Sequence, residues 1–405
     1  MSKGEALLAV LVAFAVGVLV AGSLPQWGVV ARGPAPSAAQ AGDVAAAEPI
    51  LRWRVSSAFG THLPALGENV VEVARRLAVA SDGRIAFTID DPDEVVPAFA
   101  IVDAVRNHKI AAGYTWLGYE EGRLAASTLF GAVPFGMTPW EYNAWWVGGG
   151  GRELARALYR PLGIEPILCG LIGPETAGWF RNAIESPADL RGLKIRFAGL
   201  GGQALQSLGA SVTMLPGGEL FQALEKGAID ATEFSLPEVD ARLGFDRVAK
   251  YNYFPGWHQP HTAFHLVVHA PTWDALPPAT RELIELACGD GVQRNFAQAE
   301  AAQGAVLRAF EARGVTTRAL SPALLAALEA ATRRVLDAAA RDDADFARIL
   351  AHQRAFHAEY TRWQRLAYPA PQDADASDPS GPSGPSEGAG RTGGADEPAG
   401  APDGR

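Results

Sequence analysis

The chain has 405 residues, two cysteines and a formal net charge of −10. That length suits two lobes with separate cores, and two cysteines so far apart offer neither a disulfide-rich scaffold nor a CxxC metal or redox motif. Residues 369–405 hold seven acids and two arginines, a net of −5 and half of the total charge; the remainder is mildly acidic without a basic stripe, which argues against nucleic acid as a partner.

Lys3 precedes an apolar run from Ala6 to Ala21, closing on the small residues Val20-Ala21-Gly22. This is the layout of a secretory signal or, since no charge follows before Arg32, of a retained N-terminal anchor. No Cys lies near this end, so a lipid-modified Cys is excluded as the tether. Residues 1–22 are therefore assigned to the signal or anchor, 23–49 to a spacer rich in Ala, Pro and Gly, and 50–368 to the folded region. In 369–405 no aliphatic side chain exceeds Ala, so burial cannot offset the entropy of ordering and a disordered tail is predicted.

Within the folded region, Arg52 to Ser57 reads as a strand. A helix follows over Asn69–Ala80, then a turn at Asp82-Gly83 and an alternating strand over Arg84–Ile89. Pro97–His108 reads as a helix and Ala111–Trp116 as a strand that runs into Tyr119. Helix-like 139–147 carries Trp145 and Trp146, predicted as packing residues. The same β-α-β-α-β rhythm returns as strand Leu193–Phe197, helix Gly202–Leu208, strand Ser211–Leu215, helix Leu220–Lys226 and a strand over Ala228–Thr232. Ala263–His269 is a further strand, and Pro278 to about Trp363 is helical by composition. The class is α/β with two similar lobes and a helical C-terminal region.

Arg196 closes an apolar strand; its planar fork suits a carboxylate, although the same position would serve an ordinary surface ion pair. Gly199-Leu-Gly-Gly-Gln-Ala204 fits a dinucleotide-binding turn, but its partner acid, Glu219, lies behind Pro216-Gly217-Gly218 and is badly placed for a ribose. The glycines are better explained by a tight turn close to a ligand. His258, His261, His265 and His269 would suggest zinc on a helix face, but Pro260 and Val267-Val268 argue for a strand. There His265 and His269 stand about 13 Å apart, too far for one ion. His258 and His261 remain candidates to line a pocket. Glu175 and Glu233 fall in loops, as an acid/base pair, cation ligands or solvated residues. No G-x-S-x-G, H-E-x-x-H or P-loop pattern accompanies them, which favours cation or ligand binding. Trp116, Tyr119, Trp179, Phe180, Phe234 and Trp257 sit near predicted strand ends or turns, where they suggest an apolar wall around a charged group.

Several segments carry a family likeness: Asp103-Ala-Val105, Ala132-Val-Pro-Phe-Gly-Met137, Gly178-Trp-Phe-Arg181, Asp189 to Arg196, Pro216 to Glu225, Gly227 to Glu233 and Tyr253-Phe-Pro-Gly-Trp257. From Trp53 to about Trp363 the chain resembles the extracytoplasmic solute-binding proteins of tripartite ATP-independent periplasmic (TRAP) transporters, of the DctP type. Within these it resembles the subgroup that binds 2-oxoacids and other monocarboxylates. The resemblance implies a two-lobed fold of the type II periplasmic-binding-protein kind with long C-terminal helices, closing on its ligand, and a homodimer formed through a C-terminal helix. It places the substrate-clamping arginine on Arg196, and a sodium or calcium ion beside the substrate on Glu175, Glu233 and the backbone of Phe234. Here the subgroup's Gln is Glu175 and its Trp is Phe234, while its Trp-Trp-Glu reads Trp257-His258-Gln259, so one acidic ligand is replaced by Gln259.

These readings lead to a periplasmic binding protein, tethered or free, that passes a small organic carboxylate to TRAP membrane permease subunits. Its substrate contacts would be Arg196, Glu175, Trp116, Trp179, Phe234, Trp257 and His258, and its cation ligands Glu175, Glu233, Phe234 and Gln259. The rivals are an exported hydrolase or lyase using Glu175 or Glu233 as base, and a membrane-anchored ligand sensor.

Overall fold

A computed structural model describes residues 51–368 of the chain. The predicted signal or anchor, the spacer and the tail lie outside the described residues. The first half opens with the expected alternation: β1 (Leu51–Ser57), α1 (Gly67–Ala80), β2 (Ile85–Asp90), α2 (Ile101–Arg106) and β3 (Ala112–Trp116). Three helices follow, α3 (Thr128–Gly131), α4 (Pro139–Gly148) and α5 (Gly151–Tyr159), and then β4 (Ile164–Ile172). Helix α4 starts where its sequence says it should. Thr138 and Glu141 form a reciprocal capping box, and Pro139 fills the first turn, where a missing N–H costs nothing.

The second half repeats the pattern with β5 (Gly178–Phe180), β6 (Lys194–Arg196), α6 (Gly199–Ser207), β7 (Ser211–Thr213), α7 (Gly217–Glu225) and β8 (Ala231–Thr232). Helices α8 (Pro237–Leu243) and α9 (Phe245–Val248) lead to β9 (Tyr251–Phe254) and β10 (Thr262–His269). The C-terminal region comprises α10 (Ala270–Asp274), α11 (Pro278–Ala312), β11 (Thr316–Ala319), α12 (Pro322–Asp342) and α13 (Ala344–Ala367).

Two sheets result, ordered β2-β1-β3-β10-β4 and β11-β9-β5-β8-β6-β7. Each contains three parallel strands, β2-β1-β3 in one and β7-β6-β8 in the other, extended by an antiparallel strand. The chain crosses between the sheets over residues 173–177 and again over 255–261, and both crossings matter for the site. Helix α11 packs on β4 and α1 in the first lobe and on α8 and β11 in the second. A disulfide joins Cys169 of β4 to Cys288 of α11, across 119 residues. Sequence could not decide that pairing, because nothing local brings the two together.

Strand β4 has no counterpart in the sequence reading. It is buried along its whole length, so its run of apolar residues lacks the alternation that marks a half-exposed strand. Pro166 is tolerated because β4 is an edge strand, paired only with β10. Strand β7 stops at Thr213 rather than Leu215, and α2 occupies only the later part of the predicted 97–108 helix. Trp145 and Trp146 are buried, as expected of packing residues.

Candidate functional site

Strands β6 and β8 are parallel neighbours with Arg196 opposite Thr232, so Arg196 and the next residue, Glu233, emerge side by side at their carboxyl ends. Both side chains are buried. Arg196 Nη1 donates to the Glu233 carbonyl at 2.5 Å and to its Oε2 at 2.8 Å, while Nε donates to the Leu215 carbonyl at 3.2 Å. The guanidinium also lies 5.3 Å from the centre of the Phe234 ring. The N–H of Ala198, at the start of α6, adds a bond of 3.3 Å to Glu233 Oε2.

The two crossings bring in the rest. Glu175 lies on the first, and its N–H donates to the carbonyl of Gln259 on the second. They run so close that a side chain at Gly256 would overlap the Glu175 backbone. Thr262 Oγ1 donates to Glu175 Oε1 at 2.8 Å and accepts from the Gln259 amide, also at 2.8 Å. His258 stands between the carboxylates, its Nε2 3.4 Å from Glu233 Oε1 and 3.6 Å from Glu175 Oε2. These are ion contacts, too long for good hydrogen bonds. Both His258 nitrogens and Glu175 Oε2 are buried without a hydrogen-bond partner.

Burial pushes both carboxyls upward, and their neighbours decide the outcome. At Glu233 the charge of Arg196 and the contact with His258 outweigh burial and hold the group at about 2. Glu175 has no arginine; burial outweighs its His258 contact, the Glu233 charge adds to it, and the group stands at about 7. Burial favours a neutral His258, but the two carboxylates more than offset this and raise it.

A cavity of about 20 Å³ adjoins these groups, walled by Trp116, Tyr119, Phe59, Phe264 and Phe234, with Glu175, Arg196, Glu233, Gln259 and Thr262 on its polar side. The indole of Trp116 comes from the first lobe and rests against Gly199 of the second. A Cβ at Gly199 would come 2.9 Å from the ring, and its φ of +59° also favours glycine. Close approach, rather than phosphate binding, therefore accounts for the glycine-rich turn. Glu219, its supposed ribose partner, is exposed at the start of α7.

Three expected wall residues lie elsewhere, one of them Phe180, which packs edge-on against Tyr253 at 5.3 Å. Trp179 points away from the cavity: its Nε1 donates to Asp240 Oδ2 at 2.8 Å and its ring meets Phe310 edge-on at 4.9 Å. It belongs to β5, a central strand whose pairing settles which face each residue takes. Trp257 lies one layer behind, stacked on Phe197 at 5.8 Å and beside Phe135 at 5.6 Å. There it holds the chain entering His258 rather than forming the wall. His261 also leaves the site, its Nδ1 2.9 Å from the Met137 carbonyl and its ring stacked on Tyr142. Sequence reasoning missed Thr262, which opens β10, and the walls Phe59 and Phe264. A threonine or phenylalanine at such a position carries no signal of its own.

The chain matches the family model described as bacterial extracellular solute-binding protein, family 7, over residues 61–343. A monocarboxylate 2-oxoacid-binding periplasmic protein of Nostoc sp. is 32% identical over 324 residues, covering 80% of this chain and 88% of that protein. A TRAP transporter solute-binding protein of Bordetella bronchiseptica, solved with copurified calcium and picolinate as a mixed-occupancy dimer, is 32% identical. It superposes with a TM-score of 0.77, over 79% of this chain and 95% of that one. A TRAP periplasmic solute-binding protein of Pseudoalteromonas atlantica, solved with sodium and pyruvate, gives 0.75 at 32% identity over 78% and 97%. The chain belongs to family 7 of the bacterial extracellular solute-binding proteins, the receptors that serve TRAP transporters.

Proposed function

We propose that this receptor captures a small monocarboxylate of the 2-oxoacid class in the cavity at Arg196, with a bridging sodium or calcium ion, and delivers it to a TRAP membrane permease. The observation that carries the reading is one cluster: a buried guanidinium and two buried carboxylates beneath an aromatic wall. Arg196 and Glu233 neutralise one another, so a ligand carboxylate entering beside an ionised Glu175 meets net negative charge wherever His258 is unprotonated. A cation supplies the missing positive charge. Glu175 and Glu233 offer the oxygen donors that hard cations prefer, and the resemblance adds the backbone of Phe234. Nη2, the terminal nitrogen of Arg196 engaged by neither Glu233 nor Leu215, would grip the ligand beside the Tyr119 hydroxyl, which also interacts with this guanidinium.

Trp116, Tyr119 and Phe234 exclude water and so strengthen these interactions. About 20 Å³ holds roughly one water. A carboxylic acid therefore needs the lobes to part and re-form around it, and it favours the closed form only by binding that form better. The similar proteins of Bordetella and Pseudoalteromonas, each solved with a cation and a carboxylate, support this reading. The enzyme alternative is set aside, because the family consists of transport receptors.

Residues 1–22 act, in this reading, as the export signal that takes the receptor to the periplasm. The last turns of α13 support a homodimer. Phe356, Tyr360 and Trp363 recur there at helical spacing, and Trp363, Leu366 and Tyr368 are largely exposed.

Titration calorimetry with pyruvate tests the core of the proposal, on protein stripped of ligand and metal. Affinity is expected to rise at least about tenfold when sodium or calcium is restored. Equal affinity with and without cations would refute the bridging role.

A further inference from the structure

A hard-cation site should be lined by oxygen, yet His258 stands against both carboxylates. We propose that His258 is a third protein ligand beside Glu175 and Glu233, so that this site holds a zinc-type first-row divalent ion more tightly than calcium. The inference rests on the bridging-cation reading above and departs from it in the ion: at this chain's His258 a zinc-type ion outcompetes the sodium or calcium proposed there.

One donor atom from each of Glu175, Glu233 and His258 lies within 4.8 Å of the other two. The three residues are 2%, 1% and 2% exposed, so water does not satisfy them. Glu175 Oε2 and His258 Nε2 face one another at 3.6 Å with no hydrogen-bond partner, so their burial is offset either by a proton on His258 or by a metal ion between them. Donors sharing a four-coordinate ion with bonds of about 2.0–2.1 Å stand about 3.3–3.4 Å apart. Calcium, with longer bonds and more ligands, tolerates similar spacing. Spacing thus admits either ion, and the nitrogen decides: imidazole suits zinc, cobalt and nickel, whereas calcium takes oxygen.

His258 is also held in place. Its ring meets Phe197 edge-on at 4.6 Å and Trp257 at 5.6 Å, and the backbone at Gly201 comes close enough that an added Cβ would lie 2.7 Å from the His258 Cβ. Its Nδ1 has no acceptor, so packing rather than a second hydrogen bond sets the ring's orientation. Gln259, the resemblance's candidate in this segment, donates its amide N–H to Thr262 Oγ1 and can offer a cation only its neutral carbonyl oxygen.

The test uses the full chain stripped of metal, titrated separately with zinc, calcium and sodium, alongside His258→Gln. Zinc is expected to bind the unaltered protein at least about tenfold more tightly than calcium. In His258→Gln zinc affinity should fall at least about tenfold, the least that losing even an outer partner of a ligand costs, while calcium affinity changes less than about threefold. X-ray absorption of the zinc-loaded unaltered protein should show imidazole scattering, a readout that holds even if the variant fails to fold. Calcium binding as tightly as zinc, an unchanged ratio in His258→Gln, or no imidazole scattering would overturn the proposal while leaving a bridging cation intact. Pyruvate binding equally well to metal-free protein, with no metal bound at all, would remove both.

Discussion

Replacing Arg196 with Ala separates a structural role from a ligand-binding one. Glu233 is 1% exposed; burial raises it, but Arg196 first and His258 after it hold it at about 2 against an ordinary value of 4.5. A depressed folded-state value means stability that is present above about pH 4.5 and lost as the pH falls toward 2. That difference corresponds to about 3 kcal/mol, and removing one member of a buried pair typically costs about 3–5 kcal/mol. Arg196→Ala should therefore lower the urea-unfolding free energy at pH 7 by about 3 kcal/mol. Adding Glu233→Gln removes the stranded charge and should recover most of that loss. Pyruvate affinity should behave differently. It is expected to fall by about 2–5 kcal/mol in Arg196→Ala and to stay low in the double variant, which lacks the clamp and a cation-binding oxygen as well. Calorimetry on both variants reads this out. Unchanged affinity in Arg196→Ala, or full recovery of binding in the double variant, would show that the arginine serves only Glu233.

Other perturbations probe the fold. Reducing the Cys169–Cys288 disulfide, which closes a loop of 119 residues, should cost about 4–5 kcal/mol in urea unfolding; no change would mean that α11 needs no covalent tie to β4. Burial raises Glu120 to about 7, with Arg106 opposing, so its contribution should decline as the pH rises from about 4.5 to about 7. Glu120→Gln should flatten that decline in melting experiments across the range, and an unaltered profile would place the effect on another group. Trp363→Glu with Leu366→Glu, on the exposed stripe of α13, should turn a dimer into a monomer by analytical ultracentrifugation while leaving pyruvate binding in place. A dimer that survives would use another face.

Much of the site was legible because its key residues occupy positions that a strand pattern marks. Arg196 closes β6 and Glu233 follows β8, and parallel neighbours present their carboxyl ends on one edge. The likeness of the surrounding segments then gave those positions a role. The aromatic residues were harder. Trp116 and Trp179 look alike in sequence, each at a predicted strand end or turn, yet one rests over the cavity and the other hydrogen-bonds Asp240 in the interior. Which face a residue takes depends on the register of strands that are distant in sequence.

The α/β class and the repeated strand–helix units were set by local periodicity, since hydrophobic spacing acts over a few residues and needs no knowledge of the rest of the chain. The chain's crossings between the two sheets decided what periodicity could not. They pass against each other at Gly256, which places Glu175 and His258 beside Glu233 from segments about eighty residues apart. The same long-range closure brought Cys169 to Cys288. Such contacts arise only when separate apolar faces are buried together, so no short window of sequence contains them.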